Sequence, residues 1–207
     1  MKKELLFKAL VVVLLVPSLL LISCTDDESV SETQFGIFEV IDDTTIQLDG
    51  VINSASLHNF MALIDSYPRI NTIRIVNCDG SEDDEINLQL AELVHQRETD
   101  IHILENGLIA SGGTDFFLAG RSRTKGPNTR IGVHSWGGLD DDGNVVSATD
   151  FPEGHEYHLP YIEYYVSVGF TQEQAEDFYY FTIHAASADD IHWMNDQEIA
   201  RYGLLTQ

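Results

Sequence analysis

The chain has 207 residues, with 34 acidic side chains against 11 basic ones and a formal charge of −23. This length fits one domain with a tail, and a hydrophobic fraction of 43% is enough for a buried core, which argues against a wholly disordered acidic protein. The negative charge would repel phosphate backbones, so nucleic-acid binding is set aside. Two cysteines cannot make a disulfide framework.

The N-terminus has the pattern of an export signal. Three lysines accompany an apolar run over residues 9–22. Because this run is shorter than a membrane-spanning helix requires, a permanent transmembrane anchor is the weaker alternative. Residues 21–24 (Leu-Ile-Ser-Cys) resemble the bacterial lipobox, in which the cysteine is lipidated and becomes the first residue after cleavage. We therefore predict a lipoprotein signal peptide at residues 1–23 and a membrane tether at Cys24.

Residues 24–34 are small, polar and acidic, which predicts a flexible linker between the lipid and the domain. The acidic residues directly after Cys24 look like export signals of surface lipoproteins, but a solvated linker has the same composition. The sequence therefore predicts an exported protein and leaves both the periplasmic face and the cell surface open. The folded domain is predicted over residues 35–207.

Predicted strands and helices alternate along this domain. The predicted strands cover residues 36–40, 45–48, 72–77, 101–103 and 130–133. The predicted helices cover residues 57–64, 81–94 and 114–119, and two more begin at capping boxes on Thr171 and Asn195. This alternation is typical of an α/β domain with right-handed crossovers and a mostly parallel sheet.

Functional sites of such domains form in the loops that follow parallel strands. Two of these segments carry unusual residues, namely residues 77–81 (Asn-Cys-Asp-Gly-Ser) and residues 107–113 (Gly-Leu-Ile-Ala-Ser-Gly-Gly). Residues 139–154 are acidic and contain glycine, which predicts a mobile loop.

Ser111 lies where a predicted strand turns into a predicted helix. At such a turn the hydroxyl is exposed at the helix N-terminus, where backbone N–H groups can meet a developing oxyanion. That geometry suits a nucleophile, although serine also makes ordinary N-caps. His134 follows the next predicted strand, and a neutral imidazole can accept the serine proton. Because both residues stand at the ends of successive strands, we expect them to face one cleft.

A longer pattern surrounds these two residues. It consists of residues 110–113 (Ala-Ser-Gly-Gly), 119–120 (Ala-Gly), 127–134 (Pro-Asn-Thr-Arg-Ile-Gly-Val-His), 137–138 (Gly-Gly) and 198–205. This pattern resembles the Clp-type serine peptidases, and it is closest to the exported branch of the Clp-like and crotonase-like superfamily. The resemblance spans about residues 36–205. It implies a ClpP/crotonase-like fold of repeated β-β-α units with a mostly parallel sheet.

The resemblance also implies roles for individual residues. Ser111 would be the nucleophile and His134 the general base. The N–H of Gly112 would be one oxyanion donor, and the second donor falls on Asp79, which is followed by Gly80. A backbone N–H is retained at Asp79, but its carboxylate could repel an oxyanion.

The third catalytic residue of the family is an aspartate shortly before the closing helix. Asp190 is the candidate after a one-residue shift, and Asp189 is the reserve; an acidic loop without a catalytic role is the alternative. A serine–lysine dyad would need Lys125, the one lysine left after removal of the signal. Signal-peptide peptidases related to the Clp-type peptidases use such a dyad. Lys125 lies between Ser111 and His134, in a segment where neither of these two families places a base.

Two further patterns have weaker explanations. Residues 155–158 (His-Glu-Tyr-His) include metal-binding side chains but lack the helical His-Glu-x-x-His spacing, so a solvated loop is favoured and no metal or cofactor is predicted. The aromatic residues between Tyr161 and Phe181 either line a groove or pack the core of two helices.

The sequence as a whole predicts an exported, lipid-anchored serine hydrolase, a peptidase by resemblance, acting on flexible peptides or small acyl substrates. The resemblance leaves a homo-oligomer open. The alternative is a catalytically silent module of the same fold that binds a peptide, glycan or partner protein. Acyl-CoA chemistry is the weakest option, since an exported site would not meet CoA.

Overall fold

The computed structural model describes residues 33–140 and 142–206. The predicted signal peptide and Cys24 lie outside the described residues. Among the described residues, no helix is both long enough and apolar enough to cross a bilayer.

The described chain alternates strands and helices, as the sequence predicted. Its strands are β1 (Gln34–Phe35), β2 (Phe38–Asp42), β3 (Thr45–Asp49), β4 (Thr72–Cys78), β5 (Asp100–Ala110), β6 (Arg123–Lys125), β7 (Arg130–Val133), β8 (Gly137–Leu139), β9 (Val145–Ser147) and β10 (His192–Trp193). Its helices are α1 (Ser56–Ser66), α2 (Asp84–Gln96), α3 (Gly112–Leu118), α4 (Leu159–Ser167), α5 (Gln172–Ala185) and α6 (Asp196–Arg201).

The main sheet has the order β1-β2-β3-β4-β5-β7-β10, and β6 also pairs with β5. The pairs that join β3, β4, β5 and β7 are parallel, whereas β1, β2 and β10 add antiparallel edges. This confirms the predicted α/β fold with a mostly parallel sheet. Ile73 and Ile75 of β4 and Ile101 and Ile103 of β5 are almost completely buried, as expected of parallel strands covered on both faces.

Helix ends follow the local signals in two places and depart from them in one. The predicted capping boxes at Thr171 and Asn195 both form. In contrast, α2 begins at Asp84 instead of Ser81, because the Asp83 side chain accepts the N–H of Ile86 and so acts as the N-cap.

The prediction that residues 107–110 belong to a loop is wrong. They continue β5, whose register against β4 shifts between Ile75 and Asn77. Gly107 permits this pairing, because a Cβ there would lie 2.5 Å from the Val76 carbonyl oxygen. The bulge restores the ladder, so β5 runs on to Ala110, directly before Ser111.

The segment predicted as a mobile loop, residues 139–154, contains regular structure. Its first part completes a hairpin of β8 and β9, and a capped 3₁₀ turn at Ala148–Asp150 follows. The turn is held by Asp150, whose carboxylate accepts the N–H of Ser147 at 2.7 Å. Acidic composition alone therefore misses a hairpin made by cross-strand pairing.

Candidate active site

Ser111 occupies a strained turn between β5 and α3. Its backbone has φ 52° and ψ −131°, a conformation that L residues rarely adopt and that costs about 1–3 kcal/mol. The turn is held by the Ser111 N–H, which donates to the Gly132 carbonyl at 3.1 Å, and by the Ser111 carbonyl, which accepts the Thr114 N–H at 2.8 Å. The Ser111 hydroxyl makes no hydrogen bond to any described residue.

Three glycines allow the chain to pack closely around Ser111. A Cβ on Gly112 would lie 2.2 Å from Ser81 Oγ, and one on Gly113 would lie 2.4 Å from the Cys78 carbonyl oxygen. Gly80 has φ 149°, and a Cβ there would lie 3.2 Å from Ser111 Cβ. The loop after β4 therefore packs directly against the Ser111 turn, so the two unusual segments found in the sequence meet in space.

Two backbone N–H groups beside Ser111 are available to a ligand. The N–H of Gly112 belongs to the first turn of α3, which leaves it without a helical acceptor. The N–H of Gly80 donates to no backbone carbonyl of a described residue. Gly80 is buried against Ser111, whereas the neighbouring Asp79 is exposed. The oxyanion role predicted for Asp79 stays a prediction, and Gly80 becomes a second candidate for it.

His134 and Ser111 follow the carboxyl ends of two neighbouring parallel strands, at the same edge of the sheet. The parallel pairing of β5 and β7 aligns Ala110 with Gly132, so the two residues leave neighbouring strands together. Both line a narrow cavity and also a wider groove of about 910 Å³, which is bordered by the β8–β9 hairpin. No hydrogen bond joins Ser111 to His134 in the described chain, and His134 Nδ1 is buried without a partner.

The predicted third residue, Asp190, is exposed, and its carboxylate accepts the N–H of Ile191 at 2.8 Å. The β7–β10 pairing sets His192 opposite Val133, which brings the preceding aspartates close to His134. Asp189 lines the groove together with His134. Neither aspartate is hydrogen-bonded to His134, so the identity of the third residue stays a prediction.

The narrow cavity contains a carboxylate that the sequence pattern did not reveal. Asp115 is four residues after Ser111 on α3, and its Oδ1 accepts the Tyr165 hydroxyl at 2.6 Å. Burial, opposed by the hydrogen bond from Tyr165 and assisted by the nearby charge of Asp84, raises the pKa of Asp115 to about 7. The helical spacing from Ser111 was the signal that could have found it, because residues four apart share one helix face.

Asp84 is the second carboxylate of this cavity. It begins α2, and its Oδ2 accepts the Tyr161 hydroxyl at 2.6 Å, while the Ser81 hydroxyl donates to Oδ1. Desolvation and the charge of Asp84 both raise the pKa of the Tyr161 hydroxyl, which therefore remains a donor. Asp84 is consequently held in place by two hydroxyl groups.

The aromatic residues of α4 and α5 serve both roles that the sequence left open. Tyr164 and Phe178 pack in the core, whereas Tyr161, Tyr165 and Tyr179 line the narrow cavity. The Tyr179 hydroxyl accepts Trp136 Nε1–H at 2.9 Å.

The segment of residues 155–158 is not the solvated loop that the sequence favoured. His158 is completely buried, and its Nδ1 lies 2.7 Å from the Tyr179 hydroxyl, because the segment folds as a turn against α5. No group of three His, Cys, Asp or Glu side chains in the described residues could hold a metal ion.

Lys125 does not reach the cavity. Its ammonium lies 3.8 Å from Asp196, and it is absent from the cavity lining. The neighbouring basic residues are also used elsewhere, because Arg121 pairs with Asp100 at 2.9 Å and Arg123 donates to backbone carbonyls. The geometry therefore gives no support to a serine–lysine dyad at Lys125.

No protein-family model and no curated protein sequence match this chain. Solved structures do match it. A mutant of the 1510-N membrane-bound stomatin-specific protease, in complex with a substrate peptide, has 20% sequence identity and a TM-score of 0.52, covering 79% of this chain and 72% of that one.

Two ClpP structures match to the same degree. The ClpP catalytic domain from Plasmodium falciparum has 19% identity and a TM-score of 0.52, with 79% of this chain and 83% of that chain covered. ClpP1 from Listeria monocytogenes has 21% identity and a TM-score of 0.51, with 80% and 91% covered. The fold expected from the resemblance to Clp-type serine peptidases is confirmed.

Proposed function

We propose that this protein is a serine hydrolase, and specifically a peptidase, in which Ser111 is the nucleophile and His134 the general base. One observation carries the proposal: Ser111 is held in a strained turn with a free hydroxyl, on a cavity that His134 also lines. Strain of this kind persists only where the surroundings enforce it, and it concentrates at functional sites. The Clp-type fold agrees with this assignment.

The proposed reaction is acyl transfer through a covalent intermediate. Ser111 Oγ attacks the carbonyl carbon of the scissile bond while its proton passes to His134. The resulting oxyanion accepts hydrogen bonds from the Gly112 N–H and from a second N–H on the Gly80 loop. His134 then returns the proton to the leaving amine as the C–N bond breaks. Water attacks the acyl-enzyme by the same proton route and releases the free serine and the acid.

The groove beside Ser111 supports a peptide as substrate. Its volume of about 910 Å³ is at the upper end of the range for small-molecule pockets. The β8–β9 hairpin borders it and gives an extended chain a wall to lie along. The proposal includes the export signal and the lipid on Cys24, which would hold this domain at a membrane face outside the cytoplasm, where flexible peptides and small acyl compounds are the available substrates.

The proposal is tested by labelling the full-length chain, purified in detergent, with a fluorophosphonate probe. The phosphorus of the probe accepts Ser Oγ and loses fluoride, so only an activated serine reacts. We expect labelling of the wild type and loss of labelling in Ser111→Ala and in His134→Ala. Ser66→Ala, which removes an exposed hydroxyl bonded within α1, is the matched control and should label normally.

A catalytically silent binding module is the second candidate function. The observation that favours it is the buried Nδ1 of His134, which has no carboxylate partner among the described residues. Without such a partner, nothing fixes the tautomer and orientation of the ring for accepting the serine proton. A folded wild type that does not label at all would select this module over the hydrolase.

A further inference from the structure

The narrow cavity beside Ser111 adjoins the wider groove and has lining residues of its own, Asp115 among them. It extends from Ser111 along α3 to Asp115 and is closed by Tyr161, Tyr165 and Tyr179. Its volume of about 30 Å³ takes about two water-sized groups. It therefore fits the end of an unbranched side chain and excludes an aromatic ring. Since it begins at the nucleophile, it is placed to receive the side chain next to the bond that Ser111 attacks.

Apart from the His134 imidazole, the ionisable side chains that line this cavity are carboxyl groups and tyrosine hydroxyls. Asp84 and Asp115 supply two carboxylates, and no lysine or arginine lines the cavity. Neither carboxylate takes part in any ion pair of the described chain. Oδ1 of Asp115 accepts the Tyr165 hydroxyl, but Oδ2 has no hydrogen-bond donor among the described residues. The wall of the cavity thus contains a carboxylate oxygen that has no hydrogen-bond donor and no countercharge among the described residues.

A cation is the group that this arrangement lacks. A buried carboxylate is costly unless it is paired, and the neighbouring carboxylate adds repulsion to that cost. An ammonium group would supply charge-assisted hydrogen bonds to Asp115 Oδ2, and the three tyrosine rings would add attraction for the cation. A neutral side chain would leave the carboxylate oxygen buried and unpaired, and an acidic side chain would be repelled.

We propose that this cavity selects substrates with a lysine-like side chain, an unbranched chain that ends in an ammonium group, at the residue whose carbonyl Ser111 attacks. Asp115 is the residue that determines the specificity, and Asp84, which lines the same cavity, supports it. This inference rests on the proposed hydrolase and names its substrate class.

The test compares two peptidyl diphenyl phosphonates with identical leaving groups. One carries a lysine side chain at the reacting position and the other carries norleucine, which has nearly the same length without the charge. Ser Oγ bonds to phosphorus and phenol leaves, so labelling rates report recognition of the side chain. On the full-length chain we expect the lysine probe to react at least about ten times faster, since a hydrogen bond to a charged group is worth that much.

Variants assign the preference to the cavity. In Asp115→Asn the ratio of lysine to norleucine labelling should fall by about tenfold, because the amide keeps the Tyr165 hydrogen bond but loses the charge. Glu163→Gln removes an exposed carboxylate from α4 outside the cavity and should keep the wild-type ratio. A general fluorophosphonate, which has no such side chain, is run in parallel.

The parallel probe separates failure of the function from failure of the specificity. If the fluorophosphonate does not label the wild type, the proposed hydrolase activity is wrong, and the proposed substrate specificity is wrong as well. If the fluorophosphonate labels Ser111 but the norleucine probe reacts as fast as the lysine probe, the proposed hydrolase activity is supported and the proposed selection of a cation by the narrow cavity is overturned. A ratio that is the same in Asp115→Asn and in the wild type overturns the assignment to Asp115.

Discussion

Asp115 gives the structure a stability that should depend on pH in a predictable direction. Burial raises its pKa from the ordinary aspartate value of 3.8 to about 7 in the folded chain. Between these two values the folded state holds a proton that the unfolded state has already lost. Stability from this group is therefore present in acid and declines as the pH rises through this interval. The opposite sign applies to an aspartate that gains a salt bridge.

The magnitude follows from the difference between the two pKa values. Each pKa unit corresponds to about 1.4 kcal/mol, so ionising Asp115 in the folded state costs about 4 kcal/mol by pH 7 and above. Asp115→Asn removes this cost and keeps an acceptor for the Tyr165 hydroxyl. We expect the variant to be more stable than the wild type at pH 8 by up to about 4 kcal/mol and to lose this advantage near pH 4.

The assay is urea unfolding of both proteins between pH 4 and pH 8, followed by the fluorescence of Trp136, which lines the same cavity. The difference in unfolding free energy between the two proteins cancels the titration of all the other carboxylates. Glu163→Gln controls for the loss of one negative charge. If the difference in unfolding free energy between wild type and variant does not change with pH, the reasoning is refuted. Folding would then not raise the pKa of the Asp115 carboxyl group.

Two further predictions concern the packing of the site and the membrane anchor. Gly113→Ala should lower the melting temperature by several degrees, because its Cβ would lie 2.4 Å from the Cys78 carbonyl oxygen and would force α3 away from β4. The control is Gly138→Ala, whose Cβ would meet no atom within 4 Å. Equal melting temperatures of the two variants would contradict the packing argument. Cys24→Ser should abolish lipidation and move the protein from the detergent phase to the aqueous phase on phase separation, and a variant that stays in the detergent phase would contradict the lipid anchor.

Local sequence signals predicted the parts of the fold that local chemistry determines. The capping boxes at Thr171 and Asn195 form because side chain and backbone within four residues satisfy each other. The strand-helix alternation follows from the spacing of apolar residues. The extension of β5 to Ala110 could not be predicted in this way, because it depends on a register shift against β4 and on a glycine that tolerates the approach of Val76.

The site shows the same division between local and tertiary information. That Ser111 and His134 share one cavity could be predicted, because each stands at a strand end that the pattern located. The spacing of four residues from Ser111 puts Asp115 on the same helix face, but a single carboxylate in an otherwise apolar helix gives no sign that a cavity lies beside it. That depends on Tyr165, fifty residues later in the chain, whose hydroxyl fixes the carboxylate.

No lysine or arginine lines the cavity, and the described chain has only eight such residues. Seven of the eight contact a carboxylate, an aromatic ring or backbone carbonyls: Arg69 contacts Asp43, Arg121 Asp100, Lys125 Asp196, Arg201 Asp177, Arg130 the Trp193 ring, and Arg97 and Arg123 carbonyl oxygens. The eighth, Arg74, is exposed on β4 and does not line the cavity. With a formal charge of −23, the protein has many more carboxylates than it can neutralise internally. Such a surface attracts cations over about one Debye length, about 8–10 Å at moderate salt. A cationic substrate would thus be concentrated at the site by the surface charge and paired there with Asp115. We therefore expect added salt to lower the labelling rate of the lysine probe more steeply than that of the neutral norleucine probe.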